Sequence, residues 1–476
     1  MDKSSKGVQV RQASVYYLVG SLFSKGITFL TVPIFTRILS TTDYGIINTY
    51  TSWVAILSVV LGFALHMSIR ASFVDYQGKE KDFLNVTLTF SLIVGIAVST
   101  AAVLIFCLLH VNVSLLLVLL CLLQSVSSAI IEDFSMYLMM QYEYKKRTAI
   151  MVLPNMISSI LAIGAIMFMV KENAYLGRIV PTCIVYILFA FSILILVYGK
   201  NRPCLKGEYI SYGLKISLPL VLHGIALSIL SQSDRMMITE FVGPDQTGIY
   251  SLIYNFGMIA TVATTALDGV WVPWFYKHYN KRDYESVNKK VVIYVQTITF
   301  FLIGLILVGP EIVKILTPSE YWEGVSIIPP VVLSSYVVFL YTLYVNVEHY
   351  HKKTVQITVN TIIAATVNII LNLIFIPKYG YVAAAYTTLA AYLASFVIHA
   401  MSVKRLDAKI YPVRSFAGSL LQNFAAVIIF YVFQDIWAVR WGLAFVYMVC
   451  LAFFYRKELN RIFPFLGCTN HKGKSE

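Results

Sequence analysis

The chain has 476 residues, 58% hydrophobic and only 13% charged, with a mean hydropathy of +0.74. A soluble chain carries about 25% charged residues, so composition excludes a water-soluble domain and predicts an all-α polytopic membrane protein. The formal charge of +13 does not point to nucleic acid: the basic residues stand in small groups between apolar runs, as the positive-inside rule expects.

A spanning helix needs about 20 apolar residues, and by that measure the sequence predicts about 14 spans. The first six lie near 13–36, 46–68, 84–108, 113–134, 149–170 and 177–199. The next six lie near 213–238, 248–274, 291–309, 325–347, 354–376 and 380–402, and two more near 416–434 and 438–455. The first run is too long for a signal-peptide core and no small-residue cleavage site follows it, so it reads as a retained helix. With the N-terminus inside, groups such as Lys145-Lys146-Arg147, Lys289-Lys290 and Lys404-Arg405 all fall inside. The outer connections then hold only Arg37, Lys171, Arg178, Lys314, Lys378 and Arg440. Positive charge concentrates on the cytoplasmic side, which predicts an N-in, C-in topology. The six cysteines lie mostly in apolar runs without a CxxC pair and read as small hydrophobes. Asn85-Val86-Thr87 matches a glycosylation pattern but falls on the inner side, so it carries no weight.

The chain repeats itself. Arg37 to Ile46 (RILSTTDYGI) resembles Glu240 to Ile249 (EFVGPDQTGI), placing Gly45 against Gly248 at an offset of 203. The same offset pairs Tyr76 with Tyr279 and Phe73 with Tyr276. Tyr144-Lys145-Lys146-Arg147-Thr148 matches Tyr350-His351-Lys352-Lys353-Thr354 at nearly the same distance. Six spans per repeat is an even number, so both copies enter the membrane from the same side. The expected organisation is two parallel six-helix halves, 1–205 and 206–405, with two extra helices and a tail over 406–476. Transporters built this way place a site between the halves.

Charged groups inside the spans are the functional candidates, because each costs about 2.5–3.5 kcal/mol to insert and usually faces a bundle interior or a cavity. Lys25 sits near the middle of the first span, with Ser14, Leu18, Ser21, Thr28 and Val32 on its face. It reads as lining a cavity, or as pairing with a carboxylate. Arg235 shares a face with Gly224, Ser228, Ser231, Gln232 and Thr239, and reads as an anion contact or as an ion pair locking the halves. Asp234 points about 100° away on the same helix, so its partner should come from another helix, with Lys25 a candidate. Arg37 and Arg70 are further cations near the span ends. His66, Asp268 and the Glu132-Asp133 pair lie towards the inner side, where a carboxylate or imidazole carries a coupling proton or Na⁺, or simply caps a helix in water. His223 and His399 are lone histidines on apolar faces and read as packing groups. No HExxH, GxSxG or Walker loop is present, so the chain is not expected to be an enzyme. It needs no resident cofactor, and any driving force would be an H⁺ or Na⁺ gradient, the membrane potential or the substrate's own gradient.

Several stretches resemble a known family. Ser24-Lys25-Gly26 through Pro33-Ile34-Phe35-Thr36-Arg37-Ile38-Leu39-Ser40, then Asp43-Tyr44-Gly45, is similar to the start of bacterial polysaccharide-biosynthesis membrane proteins. These are the Wzx-type oligosaccharide flippases of the multidrug/oligosaccharidyl-lipid/polysaccharide exporter superfamily. Ser233-Asp234-Arg235 with Gly248-Ile249-Tyr250, and Pro310-Glu311-Ile312 with Tyr321, resemble later parts of the same family. The resemblance covers about residues 10–400. It implies a protein of the bacterial cytoplasmic membrane that moves polyprenyl-pyrophosphate-linked oligosaccharide to the outer leaflet, for O-antigen, capsule or exopolysaccharide. It also implies halves that rock to give alternating access, and polymerase and export proteins as partners. Lys25, Arg235, Arg37 and Arg70 would then meet the pyrophosphate, while Asp234, Asp268 and His66 serve coupling or pairing. The alternatives are a lipid II flippase, a cation-coupled multidrug exporter of the same superfamily, or a membrane-embedded polysaccharide polymerase. A polymerase would need a substantial outer loop, and the longest one expected spans only 309–324.

Overall fold

The computed structural model describes residues 31–109, 114–170, 172–199, 202–412 and 414–454. Lys25 therefore lies outside the described residues. Among those described the chain is helical, with no strand. A short helix α1 (31–38) leads into α2 (Thr41–Gly62) and α3 (His66–Asp75). Then come α4 (Glu80–Leu108), α5 (Leu115–Met140), α6 (Tyr144–Phe168), α7 (Ala174–Tyr198), α8 (Gly207–Phe241), α9 (Pro244–Asn280) and α10 (Tyr284–Leu316). A 3₁₀ segment (Ser319–Ile327) precedes α11 (Ile328–Tyr350), α12 (Thr354–Leu406), α13 (Arg414–Val432) and α14 (Trp437–Phe454).

Nine helices among the described residues are long and apolar enough to cross a membrane, and ten if α8 is counted as one bent span. The chain is a multi-pass membrane protein. Local chemistry accounts for the boundaries. Ser40 caps α2 by accepting the Asp43 amide at 3.0 Å, which satisfies one orphan backbone donor, and its own hydroxyl donates to Asp43 Oδ2 at 2.6 Å. The Asp283 carboxylate accepts the Ser286 amide at 3.2 Å at the head of α10. Its bonds from Ser286 hold that carboxyl below its usual range. Phe63 and Ala64 adopt positive φ (49° and 47°) and break α2 from α3. Helix α8 bends by 44° between its limbs Gly207–Leu218 and Leu220–Phe241.

Two expectations need correction. The connection over 309–324 is not an open loop: α10 runs on to Leu316 and the 3₁₀ segment takes up the remainder. The span expected to close at residue 134 continues as α5 to Met140. Glu132 and Asp133 therefore lie within a helix and not at its end. Helix α12 is continuous only in outline, because Gly380 (φ 64°, ψ −153°) folds it into two limbs. A side chain there would be strained, and its Cβ would lie 2.6 Å from Gln246 Oε1.

The described chain divides into two compact units. The first comprises the described residues up to Phe256 with Leu316–Gly324 and Lys352–Ser395. One core of this unit gathers Phe83, Leu84, Leu88, Ile130, Leu138 and Ile193. The second comprises Gly257–Ile315, Val325–His351 and the described residues from Phe396. In it Arg440, expected in an outer loop, is buried in α14. It donates to the Leu307 carbonyl at 2.8 Å and to Glu311, whose other oxygen accepts Trp441 Nε1 at 3.0 Å. This clamp ties α14 to α10.

The sequence repeat has structural counterparts. In the first unit, Asn85 donates to the Arg202 carbonyl and accepts the Cys204 amide, both at 3.3 Å. In the second, Asn288 donates to the Lys409 carbonyl and accepts the Tyr411 amide, both at 2.9 Å. The two asparagines stand 203 apart in sequence, as do Tyr76 and Tyr279. Tyr76 donates to Glu208 at 3.2 Å and Tyr279 to Asp407 at 2.9 Å. Each copy thus pins the segment that follows its sixth span with one amide and one phenol.

Within the first unit, repeated glycines bring α2 and α9 into backbone contact. A Cβ on Gly45 would lie 1.6 Å from the Pro244 carbonyl oxygen. One on Gly248 would lie 2.1 Å from the Thr41 carbonyl oxygen. Only glycine permits such an approach.

Candidate functional site

The C-terminal half of α8 carries Gln232, Ser233, Asp234 and Arg235 as consecutive residues. A helix turns 100° per residue, so adjacent side chains enter different surroundings.

Asp234 is 1% exposed and faces α9 and α12. Its carboxylate accepts the Tyr250 hydroxyl at 2.6 Å, the Thr388 hydroxyl at 2.5 Å and Asn372 Nδ2 at 2.7 Å. A further ring of bonds orients these donors. Asn368 Oδ1 accepts the Ser233 hydroxyl at 3.1 Å and Asn372 Nδ2 at 3.3 Å, while Asn368 Nδ2 donates to Thr388 at 3.3 Å. Thr387 donates to Asn372 Oδ1. The break at Gly380 makes this possible, since Asn368 and Asn372 come from one limb of α12 and Thr387 and Thr388 from the other. No Lys or Arg nitrogen lies within 4.0 Å of Asp234 among the described residues. Charge-assisted bonds from neutral donors take the place of a cation. The groups that face Asp234 are two hydroxyls and an amide N–H, while the Asn368 and Asn372 carbonyl oxygens accept from Ser233 and Thr387.

Arg235 is 4% exposed and turns towards α2 and α9. Its Nη1 donates to Gln232 Oε1 at 2.7 Å and to the Ser231 carbonyl at 3.3 Å. The guanidinium carbon lies 4.6 Å from the centre of the Tyr254 ring. Buried Nε has no hydrogen-bond partner, and no carboxylate lies within 4.0 Å among the described residues. Gln232 Oε1 also accepts the Ser52 hydroxyl of α2 at 3.1 Å. Thr49 and Thr239 meet at 2.6 Å, and Asn255 donates to the Tyr44 hydroxyl at 3.3 Å. Of the faces expected around Arg235, the structure confirms Ser231 and Gln232 as direct contacts.

The other candidates are dispersed. Arg37 on α1 and Arg70 on α3 are both exposed. Helix α2, 22 residues and about 33 Å long at 1.5 Å per residue, separates the helices that carry them. His66 stands 3.9 Å from the exposed Glu132, a loose pair. Asp133, next to it, is buried and accepts the Ser91 hydroxyl at 3.3 Å. Asp268 is half-buried and accepts the Tyr294 hydroxyl at 2.8 Å, so it is neither a cap nor a freely solvated group. His399, expected as a packing residue, is instead bonded through Nδ1 to buried Glu348 at 2.7 Å. Arg178, expected in an outer connection, lies inside α7. It sits 4.4 Å from the centre of the Phe35 ring and donates to Ser159 at 3.1 Å.

Sequence reasoning missed the shell of Asp234. Its only trace was Asn368 and Asn372, four apart on one face of an otherwise apolar helix, followed by Thr387-Thr388 after a glycine.

Comparison with known proteins places these observations in context. Residues 10–279 match the family described as polysaccharide biosynthesis protein. An Lsg locus protein of Haemophilus influenzae is 22% identical over 326 residues, which is 66% of this chain and 76% of the relative. Among solved structures, the lipid II flippase MurJ in an inward closed conformation is similar with a TM-score of 0.67 at 17% identity, over 94% of this chain and 99% of that one. An inward-facing multidrug resistance MATE family transporter of the MOP superfamily gives 0.59 at 13% identity, over 83% and 99%. At these identities the structural likeness concerns the fold.

Proposed function

The chain belongs to the polysaccharide biosynthesis protein family, and on that premise we propose that it flips a polyprenyl-pyrophosphate-linked oligosaccharide across the bacterial cytoplasmic membrane. The product would feed assembly of a surface polysaccharide such as O-antigen, capsule or exopolysaccharide. The observation that carries this reading is Arg235: a buried guanidinium with an orphaned Nε and no carboxylate within 4.0 Å among the described residues. Burying a cation unpaired is costly, and an anionic substrate group offsets that cost when it arrives. Arg suits a pyrophosphate because its planar fork binds two oxygens together. Lys25, equivalent in topology to the α8 region, joins it in this proposal. Arg37 and Arg70 act earlier or later on the path, at its rims.

The work is transport and not catalysis. Two parallel six-helix halves, 1–205 and 206–405, alternate in access, and 406–476 adds two helices beside them. Asp234 holds the coupling cation, H⁺ or Na⁺, among its hydroxyl and amide neighbours. Asp268 is the second candidate for that role, and His66, loosely paired, the weakest. Polymerase and export proteins receive the flipped unit.

The test is deletion of the gene in its native bacterium, with rescue by wild-type protein or Lys25→Ala. Loss of surface polymer with intact lipid-linked units trapped on the cytoplasmic side supports the reading. Normal polymer, with rescue of a strain depleted of its lipid II flippase, would replace it with the lipid II reading that the MurJ-like fold invites. Single units accumulating on the outer face would indicate a polymerase.

A further inference from the structure

Arg178 is a second sheltered guanidinium in the first unit, and the reading above gives it no role. It stands near the start of α7 and is half-buried. Among the described residues one hydrogen bond holds it, from Nη1 to the Ser159 hydroxyl of α6 at 3.1 Å. Its guanidinium carbon lies 4.4 Å from the centre of the Phe35 ring, much as that of Arg235 lies 4.6 Å from the centre of Tyr254. Each guanidinium thus rests on one aromatic face. Neither has a carboxylate within 4.0 Å among the described residues. Asp43, at the start of α2, is engaged elsewhere: Oδ1 accepts the Tyr175 amide at 3.2 Å and Oδ2 the Ser40 hydroxyl at 2.6 Å. A guanidinium offers five N–H donors. Arg178 commits one of them and Arg235 two, all to neutral acceptors.

The two arginines have one side chain in common. Tyr44 of α2 lies within electrostatic reach of both Arg178 and Arg235. Its hydroxyl accepts Asn255 Nδ2 at 3.3 Å, and its ring meets Tyr321 edge-on with centres 6.0 Å apart. Tyr186, the other phenol within reach of Arg178, bonds to Asn155 at 3.1 Å. The groups around the two cations are therefore phenols, hydroxyls and amides. Two sheltered cations flanking one neutral phenol repel each other, and each carries its own desolvation cost. One dianionic group that touches both offsets all of these terms together. We propose that Arg178 is a second phosphate-binding residue, so that Arg178 and Arg235 each hold one phosphate of a diphosphate across Tyr44. The pair thereby selects a diphosphate head over a monophosphate. A single phosphate engages one fork and leaves the other unused, whereas a diphosphate gives each planar fork its own pair of oxygens. The inference rests on the flippase reading above and makes Arg178 the group that discriminates between carrier lipids.

The test is binding to the full chain in nanodiscs of phosphatidylcholine. Three probes are titrated: a polyprenyl diphosphate, the polyprenyl monophosphate of equal chain length, and phosphatidylglycerol. The parent protein should bind the diphosphate about tenfold more tightly than the monophosphate, the increment of one charge-assisted bidentate contact. Arg178→Gln and Arg235→Gln should each bring that ratio close to one while monophosphate affinity falls only a few-fold. The double variant should lose little more selectivity than either single one, because either loss already removes the second grip. Arg178→Lys keeps the charge but lacks the fork, and it should lose most of the ratio; it decides the matter where Arg178→Gln fails to fold. An unchanged ratio in Arg178→Gln, or in Arg178→Lys, overturns the proposal. Phosphatidylglycerol bound as tightly as the diphosphate, and dependent on both arginines, also overturns it and makes this an anionic-phospholipid site. If the diphosphate is selected as expected while deletion of the gene leaves surface polymer normal, the two-arginine site stands and the surface-polysaccharide reading falls.

Discussion

Asp234 and Arg235 are neighbours on one helix, both nearly inaccessible, and they are handled in opposite ways. Asp234 receives three short bonds from three residues on two helices, and two of those residues, Asn372 and Thr388, are themselves held by Asn368 and Thr387. Arg235 has one strong bond to a neutral amide on its own helix, one long bond to a carbonyl, an aromatic face and an orphaned Nε. A buried charge with complete hydrogen bonding is held in place. A buried charge with incomplete bonding stores an unfavourable desolvation term that a ligand of opposite sign relieves. The comparison separates a carboxylate whose neutral donors are already in place from a guanidinium that still has an unused donor.

The largest effect should come from removing the Asp234 carboxylate. Asp234→Ala leaves the donors of Tyr250, Thr388 and Asn372 without their acceptor, at about 1–3 kcal/mol for each group stranded. Its unfolding midpoint should fall sharply, as thermal denaturation in detergent would show. The isosteric Asp234→Asn should fold but lose coupling. We expect about a hundredfold drop in flipping, with the remaining rate insensitive to the Na⁺ or pH gradient. Retained gradient dependence in Asp234→Asn would move the coupling role to Asp268.

Arg235 should show the reverse balance. Arg235→Gln should lower flipping by at least tenfold, corresponding to about 1.4 kcal/mol of lost transition-state binding. Its thermal stability should change little, since the partners left behind are neutral. Arg235→Lys should recover only part of the rate, because an ammonium lacks the bidentate fork. A destabilised Arg235→Gln with normal transport would make the guanidinium a packing group and dissolve the contrast.

A smaller effect is expected at Gln232, the amide that connects Arg235 to Ser52. Gln232→Leu should cost about 1 kcal/mol of stability and a few-fold in rate, read by the same two assays. The smallest belongs to His66→Gln. A pair at 3.9 Å with an exposed glutamate contributes at most a few tenths of a kcal/mol, so both rate and stability should stay within twofold of the parent.

Much of this architecture was legible beforehand, for reasons visible at particular residues. Hydropathy located nine or ten membrane-length helices among the described residues, of the about 14 expected, because a lipid-facing segment must be apolar along its whole length. The break inside α12 was local too: Gly380 falls where two separate spans, 354–376 and 380–402, were expected. Burial of Asp234 and Arg235 followed from their place in an apolar run. What each would touch did not follow. The partners of Asp234 are 16, 138 and 154 residues away in sequence, and Thr388 is an ordinary hydroxyl in an apolar helix until the Gly380 fold delivers it. Glu348 with His399 and Glu311 with Arg440 escaped for the same reason: periodicity shows which face a residue occupies, not which helix will lie against that face.

The sequence by itself determined a multi-pass helical membrane protein, the duplicated pattern of Gly45 and Gly248, and the few polar residues that must be sheltered from lipid. Those properties are set by transfer free energy and local backbone preference, which act residue by residue. Only the tertiary structure decided that Asp234 is saturated and Arg235 is not, and that the repeated glycines meet each other's helix starts. Those outcomes depend on which helices pack together, and packing between helices in a bilayer is settled by close approach and hydrogen-bond matching between distant segments.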